Sequence, residues 1–557
     1  MQDALRTVIR QSLGEEIALG VELRPVPAHA EGDIALTCFS LAKALRQSPV
    51  AILQQVQTAL EPLPWVEKLD AQGPYLNITC SAAWYFAQVL STPVASQQFS
   101  GRHIVLEFSS PNTNKPLHLG HMRNNALGDS LVHLLRANGA AVTAVSIIND
   151  RGTHICKSML AYEIAGDGAT PASTGRKPDH LVGDYYVLFS TLKDEGRLTD
   201  EGAQAMLQAW EAGDKSVRAL WELMNGWVYE GWNKTYARQG VTFDKWYYES
   251  AHYEDGKQLV ADGLRRGVFT TLADGAIAAD LTADGYDQKI VQRADGTSIY
   301  ITQDLALAVA RYNEWHPDEL IYITDYRQAY HFEVLFLLLE KLGLLSREHL
   351  THIGYGTMEL TTGKMSSRTG HVVHADDLMD ELSALAREEI LARHDDWDAQ
   401  QVSLTAEQIM NAAWKYYILS VTPERNMVYD AAASVRFEGA TGPYIQYAGV
   451  RIRRLLEKSG GYDATTAPVL GGEERALGAL ILQWGAVLES AGRDRNPTTV
   501  ATYILELAQE WSRYYSSVRI LDAAEPVRSS RLQLAEKTLE VLVAGLSILG
   551  IPVPEAM

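Results

Sequence analysis

The sequence predicts a three-part fold: a central α/β domain with a parallel sheet, an α+β domain before it, and an all-α helical bundle after it. Three observations carry this. A strand–helix–strand rhythm starts at "HIVLEF" (103–108), returns at "LIYITD" (320–325), and gives way after about residue 375 to almost unbroken helical patterns. A chain of 557 residues is also too long for one hydrophobic core, so several domains are expected.

Residues 1–100 mix the two periodicities: "DIALTCFSLAKALRQ" has apolar residues at helical spacing, and "GPYLNITC" reads as a short strand. The central part, 101–413, opens with the buried strand "HIVLEF", a helix over 123–138 closed by Asn138-Gly139, and the strand "AVTAVSII". That is one βαβ unit, hence a parallel sheet of the Rossmann type. From about 151 to 290 no second clean unit follows, and this stretch, rich in Tyr, Trp and Gly, reads as an insertion. The rhythm resumes with "FEVLFLLLEKLG" (332–343) and "LTHIGYG" (350–356). Residues 414–557 read as a helical bundle with one Gly/Thr/Pro-rich break at 459–472.

Bulk properties narrow the class. A net charge of −20 argues against a protein that coats nucleic acid nonspecifically, though not against a local basic groove. Cys38, Cys80 and Cys156 stand far apart with no CxxC pair, so neither a disulfide framework nor zinc is expected, and a reducing cytoplasm fits. The richest apolar run, "VLFLLLEKLGLL", is broken by Glu340 and Lys341, which predicts no membrane span, and the first residues do not resemble a signal peptide.

The chemistry concentrates in "SSPNTNKPLHLGH" (109–121), between the first strand and its helix. A helix starting after a parallel strand aims its free N–H groups at the sheet's carboxyl edge, where anions bind. His118 and His121 share one face of the first turn, Gly120 lets a ligand approach the backbone, and Lys115 adds a charge. This suits a polyphosphate; the bland reading is that the histidines cap or pack the turn. Glu107 inside an apolar strand is costly to bury unpaired, so it needs a cation, either a ligand ammonium or an internal Lys or Arg. The second segment is "GKMSSRTG" (363–370), a Gly-bounded loop rich in hydroxyls and cations. In "YITQD", Tyr300 and Asp304 are neighbours on one helical face, where Asp304 could equally complement a helix N-terminus. In the bundle, Arg451 and Arg454 follow Tyr444 and Tyr447, cations beside aromatics that suit an unstacked RNA loop or simply form a solvated face.

HxGH followed by KMSS matches the two nucleotide signatures of class I aminoacyl-tRNA synthetases. Along nearly its whole length the chain resembles the arginyl-tRNA synthetases, through "LEFSSPNTNKPLHLGHMRNNALGDSL", "SIYITQDLA", "DYRQAYHF", "GYGTMELTTGKMSSRTG" and "FEGATGPYIQYAGVRIRRLL" in family order. The resemblance implies ligation of L-arginine to the 3′ end of arginine tRNA through arginyl-adenylate. ATP would enter with Mg²⁺ as a substrate-bound ion, with no protein metal site and no zinc. His118, Gly120 and His121 would bind ATP, with Lys364, Met365, Ser366, Ser367 and Arg368 closing over pyrophosphate. The loop departs from Lys-Met-Ser-Lys-Ser, since Ser367 stands where the second lysine is usual, and Lys115 is expected to take its place. Glu107, Ser110 and Asn112 would hold the substrate's amino and carboxylate groups, and Tyr300, Asp304 and Gln328 its guanidinium side. Residues 1–100 would contact the tRNA elbow, and the bundle the anticodon, with Tyr444, Tyr447, Arg451 and Arg454 as candidates. The family implies a monomer. The competing readings are a catalytically silent tRNA-binding paralogue and another class I nucleotidyltransferase.

Overall fold

His103–Glu107 is the middle strand of a five-stranded sheet whose strands all run parallel. Ala141–Ile148 and then Lys245–Tyr248 lie on one side of it, Glu319–Asp325 and then Leu350–Tyr355 on the other. The strand order therefore reverses at His103–Glu107, and the crevice beyond its carboxyl end is where an open α/β sheet binds ligands. The structure is a computed structural model; it describes residues 2–24, 26, 32–297, 299–360 and 373–557.

The strands follow their apolar runs. Ile104, Val105 and Leu106 are buried on both faces, as a central parallel strand requires. One strand was not expected. Lys245–Tyr248, within the stretch read as an insertion, pairs with Val145–Ile148 and forms the sheet's edge. Four residues of Lys, Trp and Tyr carry no aliphatic run, so their periodicity is silent. The rest of that stretch includes the helices Thr153–Ala165, Pro178–Asp194, Asp200–Glu211, Lys215–Gln239 and Glu249–Arg265, with a three-stranded antiparallel sheet spanning Thr270–Gln292.

The N-terminal region is a four-stranded antiparallel sheet covered by helices that include Gln2–Leu13 and Pro49–Leu60. Pro49–Leu60 starts on Ser48, whose hydroxyl accepts the N–H of Ala51 at 3.2 Å, with Pro49 preset in the first turn. Arg475 clamps this region to the bundle: its guanidinium meets Asp33 at 2.6 and 2.7 Å and the Cys80 carbonyl at 3.0 Å.

The C-terminal helices include Ala399–Leu419, Gly442–Ser459, Gly472–Asp494, Pro497–Ser517 and Val527–Ile548, packed around Trp414, Trp484 and Trp511, which are fully buried. The boundary expected between residues 413 and 414 falls inside Ala399–Leu419, because the helical pattern runs through it unbroken. Lys415 on that helix reaches the catalytic half, its Nζ lying 3.2 Å from Asp129 and 2.8 Å from the Gly550 carbonyl.

Candidate active site

Beyond Glu107 the chain turns through Ser109 (φ 70°) and Ser110 (φ 49°), two consecutive non-glycine residues in the left-handed region. Such residues cost on the order of 1–3 kcal/mol each and persist where their surroundings hold them. Here the Ser109 N–H donates to Asn124, and its hydroxyl meets that of Tyr236 at 2.7 Å. The Ser110 N–H donates to Ser146 at 3.2 Å, and its hydroxyl to Glu107 at 3.0 Å. Four anchors fix the turn that leads into the HxGH helix, Leu119–Ala137.

That helix begins earlier than its apolar pattern, with His118 as its N-cap. His118 Nδ1 accepts the N–H of Gly120, and His121 Nδ1 accepts the N–H of His118, both at 3.1 Å. The rings sit 4.0 Å apart. Burial, then the charge of Lys115, pushes His118 down to about 3, and burial with the fields of His118 and Lys115 puts His121 well below its ordinary value. Both rings are neutral at physiological pH. With Nδ1 engaged as acceptor, each proton resides on Nε2, which leaves two N–H donors at the start of a helix.

The histidines open on a cavity of about 1020 Å³, lined also by Ser110, Asn112, Tyr300, Asp304 and Gln328. Tyr300 and Asp304 come from the first turns of the helix Tyr300–Trp315, and Gln328 immediately precedes the helix Ala329–Lys341. Tyr300 is 71 % exposed, so it is a wall of the opening and not a core side chain. Asn112 pairs with Asn149 as a one-residue extension of the sheet.

One expected ligand group is already partnered. Glu107 lines the cavity, but its carboxylate forms an ion pair with Arg311, a guanidinium only 2 % exposed. The internal cation therefore meets the charge that an ammonium was expected to meet. Arg311 stacks over the Tyr247 ring at 5.0 Å and was missed by sequence reasoning. Its position seven residues after Asp304, two turns along one helix face, was the available signal. His331, whose Nε2 lies 2.6 Å from Asp304, was also missed.

Lys115 stands outside the cavity lining, is lowered by burial, and has no acidic partner among the described residues. Its field acts on His118, His121 and His154. Lys364, Met365, Ser366, Ser367 and Arg368 lie outside the described residues. Both approaches to them are pinned beside the HxGH helix. On one side the strand Met358–Leu360 pairs with Met427–Tyr429, and Arg123 grips the carbonyls of Thr357, Pro423 and Arg425 at 2.9, 2.9 and 2.6 Å. On the other, the Leu119 N–H donates to Val373 and the Ala375 N–H to Leu117, at 3.1 and 2.9 Å.

Among the described residues, the cluster with metal-ligand spacing is Asp179, His180 and Asp376. Lys177 Nζ sits 2.9 Å from Asp179 and 2.8 Å from Asp376, so an ammonium already serves those carboxylates. All three cysteines are free and buried. In the bundle, Arg451 lies over Tyr447 at 5.6 Å and over Tyr515 at 4.5 Å, Arg454 is exposed, and Tyr444 donates its hydroxyl to Ser512 at 3.1 Å. These residues are on a different domain from the cavity. No helix among the described residues is long and apolar enough to cross a membrane.

Comparison with known proteins gives three family matches in chain order. Residues 1–80 match the arginyl tRNA synthetase N terminal domain, 86–430 the class I (R) tRNA synthetase catalytic domain, and 445–557 the DALR anticodon binding domain. The chain is 40 % identical to the arginine–tRNA ligase of Parabacteroides distasonis, covering 99 % of this chain and 98 % of that one. It is 39 % identical to the ligase of Treponema pallidum, over 95 % and 94 %. Among solved structures it resembles the Thermus thermophilus arginyl-tRNA synthetase, with a TM-score of 0.85 at 25 % identity over the whole of both chains.

Proposed function

This chain belongs to the class I arginyl-tRNA synthetases and ligates L-arginine to arginine tRNA using ATP, and we propose that the cavity at the sheet's carboxyl edge is where the amino acid is activated. The observation that carries this assignment is one cavity joining the HxGH histidines to the wall of Tyr300, Asp304 and Gln328. Asp304 pairs with the guanidinium, whose planar fork favours a carboxylate, while Tyr300 stacks or hydrogen-bonds and Gln328 adds a contact. Ser110 and Asn112 orient the amino-acid end. Glu107, neutralised by Arg311, holds the Ser110 hydroxyl and has less pull on the ammonium than a lone carboxylate would.

So oriented, the arginine carboxylate attacks the α-phosphorus of ATP, arginyl-adenylate forms, and pyrophosphate leaves. The acyl group then passes to a ribose hydroxyl at the 3′ end of the tRNA, and AMP leaves. His118 and His121 donate their Nε2–H groups to phosphate oxygens as negative charge builds, and the helix N-terminus adds its dipole. Donors set before the reaction need no reorganisation during it. Because both rings are neutral, they act by hydrogen bonding and not by proton transfer. ATP brings Mg²⁺ with its triphosphate. Lys115 meets the pyrophosphate, with Lys364 and Arg368 in support, and Gly120 admits the phosphates to the backbone. In the bundle, Tyr447 and Arg451, backed by Tyr515, offer a stacking surface to the tRNA, with Tyr444 and Arg454 beside it. The enzyme works as a cytoplasmic monomer.

The test is arginine-dependent ATP–pyrophosphate exchange by the purified chain, with and without arginine tRNA. Exchange is expected, and replacing His121 by Ala should reduce it by roughly 100-fold or more, as for the loss of a transition-state donor. Parental exchange in the His121→Ala variant would remove the HxGH pair from the chemistry.

A further inference from the structure

We propose that His331 is the positioning residue for the carboxylate that reads the substrate guanidinium. The inference rests on the assignment of Asp304 to the guanidinium.

Asp304 and His331 come from two different helices, Tyr300–Trp315 and Ala329–Lys341, and both side chains line the cavity. His331 Nε2 is 2.6 Å from Asp304 Oδ2, and among the described residues no other hydrogen bond reaches that carboxylate. One bond therefore fixes the rotamer of the group that must present a planar edge to the substrate. With the ring donating from Nε2, Oδ1 and the second lone pair of Oδ2 stay available for a guanidinium fork.

The other ionisable groups around the pair have partners of their own or lie farther off. His352, on the edge strand, is pushed down to about 4 by burial and the field of His331; it shares a hydrogen bond of 2.8 Å with Thr324 and stays neutral. Asp325, at the end of the adjoining strand, keeps its charge and is doubly bonded to Arg327 at 2.8 and 2.7 Å. Glu249, at the start of its own helix, bears on Asp304 through its field, and Glu107 is paired with Arg311. The Tyr300 and Gln328 side chains carry no charge to oppose the substrate.

The experiment measures arginine and ATP KM in aminoacylation by the full chain. His331→Ala should raise the arginine KM about tenfold, the order expected when a charge-assisted hydrogen bond is lost, with the change carried by KM more than kcat and the ATP KM unmoved. His331→Gln, whose amide can still donate to Asp304, should restore most of the affinity. An unmoved arginine KM in His331→Ala, an equal rise in the ATP KM, or an arginine KM in His331→Gln as high as in His331→Ala would each overturn the proposal. Asp304→Asn is measured alongside. If it leaves the arginine KM unchanged, the guanidinium assignment itself fails; if it raises KM while the His331 variants match the parent, only the present inference fails.

Discussion

His118 caps a helix and faces a cavity at once, and its protonation follows from that double duty. Burial brings it from 6.5 down to about 3, so below 6.5 the unfolded chain binds more protons than the folded one. The stability this residue contributes is complete above 6.5 and is lost progressively as pH falls from 6.5 toward 3. Urea titrations across that interval should show a shallower loss in His118→Gln than in the parent. Lys115 is the second residue with a sharp expectation, as a half-buried cation with no acidic partner among the described residues, beside the HxGH pair. If it takes the role of the missing loop lysine, Lys115→Ala should lower pyrophosphate exchange more than Lys364→Ala does, by on the order of tenfold or more. The reverse ranking would hand pyrophosphate to the loop. Spacing singled out His118 and His121 and put Tyr300 and Asp304 on one helix face, but the arginine-binding roles of Tyr300, Asp304 and Gln328 came from the resemblance to the arginyl-tRNA synthetases. Spacing from Asp304 put Arg311 on the right helix face but did not name its partner Glu107, about 200 positions earlier on a strand, and His331 meets Asp304 only because two separate helices are packed together.

Among the elements, those with strong aliphatic runs were legible to within a residue or so. Glu319–Asp325 and Leu350–Tyr355 match their patterns, whereas Lys245–Tyr248 becomes a strand only because the edge of the sheet is open to it. The HxGH helix was read as starting at 123, whereas it starts at Leu119: its first turn mixes the buried Leu119 and Met122 with Gly120 and His121, so the apolar periodicity is not yet clear there. The serine turn ahead of it was invisible, since left-handed backbone at Ser109 and Ser110 is imposed by anchors and not by composition. Asn124 is the most connected of them, accepting from Ser109 and donating to the Ile323 carbonyl at 2.8 Å, so it ties two strand ends to one helix. Asn124→Leu leaves both backbone groups unpaired and should cost about 2–4 kcal/mol, read as a lower denaturation midpoint. If the turn serves the site, exchange activity should fall further than the folded fraction does. Activity that tracks folding alone would make Asn124 purely structural.

Across the whole molecule, three separate regions meet at Lys415. Its ammonium joins Asp129 of the HxGH helix, its own bundle helix, and the carbonyl of Gly550, with Lys415 and Asp129 almost unexposed. Breaking such a buried pair strands a charge, so Lys415→Met should destabilise the chain by about 3–5 kcal/mol, and Lys415→Met with Asp129→Leu should recover much of that. Thermal unfolding of the single and double variants checks this, and additive losses would mean that the charges do not pair in solution. The three-part division was readable because each part has its own periodicity. The polar seams between parts, Lys415–Asp129 and Arg475–Asp33, were not, since each joins residues hundreds of positions apart. The seam at Lys415 also orders events during synthesis. Asp129 precedes Lys415 by 286 positions, so the helix that carries the histidines has no ammonium for its aspartate in this seam until Ala399–Leu419 has been made. A chain that stops before residue 415 would leave that buried carboxylate without its cation.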